Sequence, residues 1–94
     1  MAIEGFRHKG LRQFFERADA RGIPTEHARK IRRVLTLLNA IESPAEFAMF
    51  PGLRAHALKG DLGGFWSVTI TGNRRIIFRF EEGGAFDVDL LDYH

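Results

Sequence analysis

The hydrophobic pattern of the chain changes its period near the middle, and this change limits the fold more than any other feature. In the first half, apolar residues recur every three or four positions, as they do along one face of a helix. From Trp66 onward, apolar and polar residues alternate, which is typical of strands that bury one face. A chain of 94 residues has room for one compact core. We therefore predict an α+β fold and a single domain over residues 1–94, with two N-terminal helices packed on a small sheet.

Two apolar stripes define the predicted helices. The first predicts a short helix that begins near His8; its members are Leu11, Phe14, Phe15 and Ala18. The second predicts a longer helix with Thr25 as its N-cap; its members are Ala28, Ile31, Val34, Leu35, Leu38 and Ile41. The sequence of residues 43–46 has the pattern of a capping box, which predicts one more short helical turn.

Three alternating stretches in the second half predict an antiparallel meander, with a fourth strand near residues 54–58 and an edge strand near residues 3–6. Opposite residues of an antiparallel pair share a face. A two-residue turn at Gly72 and Asn73 would place Val68 opposite Ile77 and mix the two faces. We therefore expect a three-residue loop or a bulge there, and the same at residues 81–84. The even-numbered face is then the core; its members are Trp66, Val68, Ile70, Phe78, Val88 and Leu90. The odd-numbered face is expected to stay open; its members are Arg75, Arg79, Asp87, Asp89 and Tyr93.

The composition excludes several classes of protein. There is no cysteine, which excludes a disulfide framework, a thiol nucleophile and a Cys-ligated zinc. The four histidines are too scattered to predict any metal site. The apolar runs are too short to span a bilayer, and no signal-peptide core is present, so we expect a cytoplasmic protein without a membrane partner.

The charge is unevenly distributed. All 14 Lys and Arg precede residue 80, whereas five of the 12 acidic residues follow it. Most of the basic residues are arginine, which binds phosphate through two parallel hydrogen bonds. This basic body favours an anionic partner such as nucleic acid, with a solvated, salt-bridged surface as the alternative.

Five short motifs occur in a fixed order along the chain. They are residues 6–11 (FRHKGL), 56–61 (HALKGD), 64–68 (GFWSV), 72–76 (GNRRI) and the terminal Asp92-Tyr93-His94. With these motifs the chain resembles the HigB-type killer toxins of the RelE/ParE superfamily over essentially its whole length. The resemblance implies a RelE-like fold, in which two N-terminal helices pack on a small twisted antiparallel sheet. It also implies a toxin of a type II toxin–antitoxin system, a ribosome-dependent mRNA endoribonuclease without a cofactor. The implied partners are the ribosome, mRNA and a HigA-like helix-turn-helix antitoxin, through which alone the complex would bind operator DNA.

The resemblance also implies a set of site residues. Those that correspond to catalytic positions are His56, Asp92, Tyr93 and His94, and those that would face the substrate phosphate are Lys59 and Arg75. RNA cleavage by the 2′-OH needs a base, cations for the phosphorane and an acid for the leaving oxygen, and these residue types supply all three without a metal. Each has a plainer alternative: His56 could be a surface histidine, His94 a frayed terminus and Arg75 part of a cross-strand ion pair.

Further basic residues are candidates for RNA contacts outside the cleavage site. They are Arg7, Lys9, Arg12, Arg29, Arg33 and Arg79. The alternative is a solvated helix face with pairs such as Glu26 and Lys30.

The sequence departs from the family pattern at two points. Arg74 stands where an aromatic residue is common, and Leu90-Leu91 stands where Tyr-Glu is common. Two other functions remain open: a non-enzymatic, ParE-like inhibitor of DNA gyrase, and an inactive antitoxin-binding regulator. The combination of His56, Lys59, Arg75 and His94 favours the nuclease, because a pure binding module has no reason to assemble it.

Overall fold

The computed structural model describes residues 1–92, in which two helices lie against a five-stranded sheet. The helices are α1 (Lys9–Arg17) and α2 (Ala28–Ala40), and the strands are β1 (Ala2–Ile3), β2 (His56–Ala57), β3 (Phe65–Thr69), β4 (Arg74–Glu81) and β5 (Gly84–Asp92). The order across the sheet is β1-β5-β4-β3-β2. The predicted α+β class is confirmed. No helix within residues 1–92 has the length and apolar character needed to cross a membrane.

Helix α1 begins where the sequence predicts it. His8 is the N-cap, and its Nδ1 accepts a hydrogen bond of 3.1 Å from the main-chain nitrogen of Leu11. The helix ends at Ala18, which has a left-handed conformation with φ of 56°. The buried side chains of its apolar stripe are those of Leu11 and Phe14.

Helix α2 begins three residues later than the predicted N-cap. Thr25 to His27 form a 3-10 turn, and His27 occupies the N-cap position of α2 without a side-chain hydrogen bond. The predicted N-cap role of Thr25 is therefore wrong, because the chain makes this tighter turn before the α-helix starts. The next predicted turn is confirmed: a 3-10 helix spans Pro44–Met49, and the Glu46 carboxylate accepts from the main-chain nitrogen of Ser43.

The hairpin between β3 and β4 has the odd loop that the alternation of residues requires. Trp66 is opposite Phe78 and Val68 is opposite Ile76. The main-chain nitrogen of Ile70 donates to the carbonyl of Arg74 at 2.9 Å, which leaves the three residues 71–73 as the loop. The apolar residues of both strands therefore face the same side, as predicted.

A bulge in the hairpin between β4 and β5 keeps the even-numbered residues of both strands on the same side of the sheet. Its turn has two residues, Glu82 and Gly83, both with positive φ, and it places Phe80 opposite Ala85. A register shift follows, where Asp87 adopts a φ of 53°. Beyond the shift, even-numbered residues are opposite each other again, so the predicted bulge is confirmed.

The sheet is mixed rather than antiparallel. Strand β1 runs parallel to β5, with Ala2 opposite Gly84, and the chain continues beside β5 until the Arg7 nitrogen donates to the Val88 carbonyl. The predicted all-antiparallel sheet is wrong at this edge. Most of the chain separates β1 from β5, so no tight turn forces them into opposite directions.

The helices and the even-numbered side of the sheet enclose one core. Its fully buried members include Leu11, Ile31, Leu38, Val68, Ile76, Phe78 and Val88. Trp66 and Leu90 are only partly buried, although both pack against this core. The core therefore fixes which side of the sheet remains for a site.

Candidate functional site

The candidate site lies on the side of the sheet away from the helices, which we call the odd face. It carries the odd-numbered residues of β3 and β4 and their cross-strand partners. One row across the strands consists of His56, Ser67, Ile77 and Asp89, and the next consists of Thr69, Arg75 and Leu91. Opposite residues share a face, so His56 and Arg75 lie on the same surface although 19 positions separate them.

The middle of the odd face is closed, which corrects the expectation of an open polar surface. Phe65, Ser67 and Ile77 are buried there. Ile77 has Arg75 and Arg79 as its neighbours on the same side of β4, and the alkyl stems of such long side chains cover apolar surface. Polar groups therefore stand around an apolar floor.

Arg7 covers one end of that floor. Its guanidinium carbon lies 5.2 Å from the centroid of the Phe65 ring, in a cation–π contact. Its main chain is held at the far edge of the sheet by the hydrogen bond to Val88, so its side chain extends across the odd face. Arg7 therefore adds a cation to the face that carries His56 and Arg75.

His56 is oriented by its own main chain. Its Nδ1 lies 3.0 Å from the carbonyl oxygen of Arg54. A carbonyl only accepts, so Nδ1 carries the proton in this contact. In the neutral ring the outer Nε2 then holds a lone pair, which suits it to accept a proton from a hydroxyl group. The side chain is exposed.

Arg75 is half-buried on β4, and its guanidinium donates a hydrogen bond to Thr69 Oγ1. It is two strands and two residues away from His56, which corresponds to roughly 12 Å between their Cα atoms. A base and a cation are thus presented on one surface, with Ser67 between them. This arrangement can accept a proton at one point and stabilise anionic charge at another.

Lys59 and Arg79 are less directly placed. Lys59 follows β2 at the start of the 3-10 turn Gly60–Leu62 and is exposed. Arg79 is on the odd face, but it forms ion pairs with Glu81 and Asp87. An RNA phosphate would compete with these two carboxylates for the guanidinium.

Asp92 stands apart from the other candidates. It is opposite Arg74, on the even-numbered side, and its carboxylate lies 3.7 Å from the Arg74 guanidinium. The structure therefore does not bring this carboxylate to the odd face beside Arg75. Tyr93 and His94 lie outside the described residues.

The remaining basic candidates belong to the helix layer. They are Lys9 and Arg12 on α1, and Arg29 and Arg33 on α2, and all are exposed. Because the helices cover the even-numbered side, these residues are separated from the odd face by the thickness of the sheet. A ligand bound by these residues therefore lies on the other side of the sheet from His56.

A groove of about 750 Å³ lies between α2 and the 3-10 turns that follow it. Leu37, Phe50 and Leu53 line it, and Lys30 and Arg33 stand at its rim. Phe50 is 40% exposed and the adjacent Met49 is 78% exposed. The groove therefore offers an apolar surface with a basic border, on the layer away from the odd face.

Sequence analysis missed one residue near the site. Arg74 joins Asp92 to Glu26, which lies in the turn before α2. Residue parity was sufficient to find the pairing with Asp92, because Arg74 and Asp92 are both even-numbered and the bulge between β4 and β5 places even-numbered residues opposite each other.

Comparison with known proteins identifies the family of the chain. Residues 4–94 match the family described as the RelE-like toxin of type II toxin-antitoxin system HigB. The chain is 37% identical to Endoribonuclease HigB of Proteus vulgaris, over 98% of this chain and 99% of that protein. It is 34% identical to Toxin HigB-1 of Vibrio cholerae, over 100% of this chain and 98% of that protein.

The fold also has solved relatives. The crystal structure of a YafQ mutant from E. coli covers 96% of this chain and 90% of its own, with a TM-score of 0.59 and 17% identity. This likeness supports the RelE-like fold and is independent of close sequence similarity. The resemblance drawn from the five motifs is confirmed. Because the family match and both HigB relatives extend over nearly the whole sequence, the chain belongs to the HigB family of RelE-like toxins from type II toxin–antitoxin systems.

Proposed function

We propose that this chain, an endoribonuclease toxin by its family, cleaves mRNA in the decoding site of a translating ribosome. The observation that carries the proposal is the anchored His56 on the same face as Arg75. The contact with the Arg54 carbonyl leaves His56 Nε2 directed away from its own main chain, on the face that also carries the Arg75 guanidinium. The odd face would receive the RNA backbone, with Arg7 as an additional cation at its far end.

The reaction uses the 2′-OH of the RNA as nucleophile. His56 Nε2 accepts the hydroxyl proton, and the 2′-oxygen attacks the adjacent phosphorus. Arg75 and Lys59 stabilise the extra negative charge of the phosphorane. The bond to the 5′-oxygen of the next nucleotide breaks, and His94 protonates that oxygen. The products are a 2′,3′-cyclic phosphate and a 5′-hydroxyl, and no metal is required.

The other two C-terminal candidates, Asp92 and Tyr93, have supporting roles and do not transfer protons. The Asp92 carboxylate is paired with Arg74, which supports a role in holding the end of β5 rather than in proton transfer. Tyr93 follows it and stacks on a base next to the cleaved bond.

The basic helix residues hold the ribosome-bound RNA away from the odd face. Lys9, Arg12, Arg29 and Arg33 are exposed, which supports contacts with RNA phosphates. Each phosphate neutralised would add close to one unit to the salt dependence of binding. Arg79, which is paired with two carboxylates, contributes only if RNA displaces one of them.

The cognate antitoxin is a helix-turn-helix protein of the HigA type, through which the complex binds operator DNA. The groove beside α2 supports an acidic partner segment with an apolar side chain, because its floor is apolar and its rim is basic. Its place in the helix layer leaves the odd face uncovered.

The decisive experiment maps the 5′ ends of cellular mRNA after brief expression of the toxin. We expect cuts at in-frame codons of translated messages, and a loss of about 10²–10⁴-fold in rate for His56→Gln on a programmed ribosome. Intact mRNA with stalled replication would instead indicate a gyrase inhibitor. Intact mRNA, undisturbed replication and tight antitoxin binding would indicate an inactive regulator.

A further inference from the structure

The guanidinium of Arg74 contacts two carboxylates that come from distant parts of the chain. Its Nη1 lies 3.2 Å from Glu26 Oε1, and its Nη2 lies 3.7 Å from Asp92 Oδ2. Glu26 belongs to the turn that precedes α2, and Asp92 is the last residue of β5. One side chain therefore joins the helix layer to the end of the last strand.

The position of Arg74 in the sheet makes this contact specific. Arg74 is directly opposite Asp92 in the register of β4 and β5, so the two side chains share a face. The Arg74 side chain is 28% exposed, whereas that of Glu26 is 66% exposed. The guanidinium is thus partly enclosed between the helix layer and the sheet, where it donates a hydrogen bond to Glu26 and forms an ion pair with Asp92.

An ordinary surface salt bridge is the alternative explanation. Such pairs contribute little to stability, because solvent screens them and both side chains lose freedom. The effect that distinguishes this contact is therefore positional. It places the Asp92 carboxylate on the side of the sheet opposite to His56 and Arg75.

We propose that Arg74 is a positioning residue for RNA cleavage, which holds the end of β5 by binding Glu26 and Asp92 together. Tyr93 and His94 follow Asp92 directly, so a shift at Asp92 is transmitted to the residue that protonates the leaving oxygen. The proposal rests on the function proposed for the odd face. It assigns to this chain a charged connection at a position where the family commonly has an aromatic residue.

The test compares Arg74→Gln, Arg74→Lys, Glu26→Gln and the double variant Arg74→Gln/Glu26→Gln in single-turnover cleavage on a programmed ribosome. Arg74→Gln should lower the maximal rate constant by about 10- to 100-fold, as expected for a misplaced catalytic group. The ribosome concentration for half-saturation should stay within about two-fold, because binding is not removed. Arg74→Lys should recover most of the rate, since it keeps a cation between the two carboxylates.

Non-additivity shows whether Arg74 acts through its joint contact with Glu26 and Asp92, which we call the bridge. Glu26→Gln should give a smaller loss of rate, and the double variant should be no slower than Arg74→Gln, because both changes break one connection. The matched control is Arg21→Gln, which removes an exposed ion pair with Asp19 and should leave the rate unchanged. Additive losses, or a wild-type rate for a normally folded Arg74→Gln, would overturn the proposal.

Two further measurements cover the cases in which the first variant or the proposed function fails. If Arg74→Gln does not fold, Glu26→Gln alone decides: a several-fold slower rate supports the bridge, and a wild-type rate overturns it. If the wild-type protein does not cut mRNA, the proposed function is wrong. The bridge is then judged from the amide relaxation of Leu91 and Asp92, which should loosen in Arg74→Gln but not in Arg21→Gln; unchanged relaxation rejects it.

Discussion

Ser67 lies directly opposite His56 in the register of β2 and β3, and its hydroxyl is fully buried without a hydrogen-bond partner within residues 1–92. Buried hydroxyl groups nearly always have a partner, because desolvation without one is unfavourable. The odd face therefore contains a destabilised polar atom beside its candidate base.

The first prediction concerns this hydroxyl. Ser67→Ala removes a group that makes no hydrogen bond to residues 1–92, so the free energy of unfolding should stay the same or rise by up to about 1–2 kcal/mol. Thr69→Val is the matched control: Thr69 Oγ1 accepts from Arg75, and its loss should cost about 1 kcal/mol or more. Urea denaturation of the three proteins measures both values. Equal destabilisation by the two changes would mean that Ser67 has a partner in solution.

The second prediction concerns the stability of the fold at low pH. Hydrogen bonds from the Arg21 side chain and main chain lower the pKa of Asp19 to about 2. A lowered carboxyl pKa stabilises the fold at pH values above the unfolded pKa, and this contribution is lost as the pH falls to the folded pKa. Between pH 4 and pH 2 the melting temperature of the wild-type protein should therefore fall further than that of Asp19→Asn. Parallel melting curves for the two proteins would contradict the assignment.

How far the sequence predicted the fold depends on the kind of interaction. Alternation of apolar residues predicted the core side of the sheet, and the requirement that Val68 and Ile76 share a face predicted the odd loop. These are local rules that act between neighbouring strands. The parallel direction of β1 was not predicted, because no turn connects it to β5 and only tertiary packing decides it.

The sequence suggested the candidate residues, but it did not predict the surface that surrounds them. The closed floor at Phe65 and Ile77 depends on long side chains such as that of Arg7, which extends over the face from the segment between β1 and α1, and no periodicity reveals this. The separation of Asp92 from Arg75 follows from even and odd numbering. The tautomer of His56 depends on a contact with the Arg54 carbonyl, two residues earlier, and the sequence alone does not reveal that contact.

The third prediction concerns the groove beside α2. Phe50 is 40% exposed at this groove, and such an aromatic residue is a typical centre of binding energy. Phe50→Ser should weaken binding of the cognate antitoxin by about ten-fold or more. Phe15→Ser is the control, because Phe15 is similarly exposed, at 37%, but lies on α1. Titration calorimetry measures the affinities, and melting curves check the fold. Equal weakening by both variants would place the antitoxin elsewhere.

The last prediction concerns His94, which is proposed to protonate the leaving oxygen. A chain that ends at Tyr93 should lose about 10²–10⁴-fold in the single-turnover rate on a programmed ribosome, the usual contribution of a general acid. His94→Gln should be almost as slow, because glutamine keeps similar reach and polarity but has no proton to give near neutral pH. Both variants should melt close to wild type, since the core formed by residues 1–92 does not include the position that is changed. The half-saturating ribosome concentration separates lost chemistry from lost binding. If the shortened chain folds normally and cuts within a few-fold of wild type, His94 takes no part in catalysis, and His56, Lys59 and Arg75 must account for the proton transfers between them.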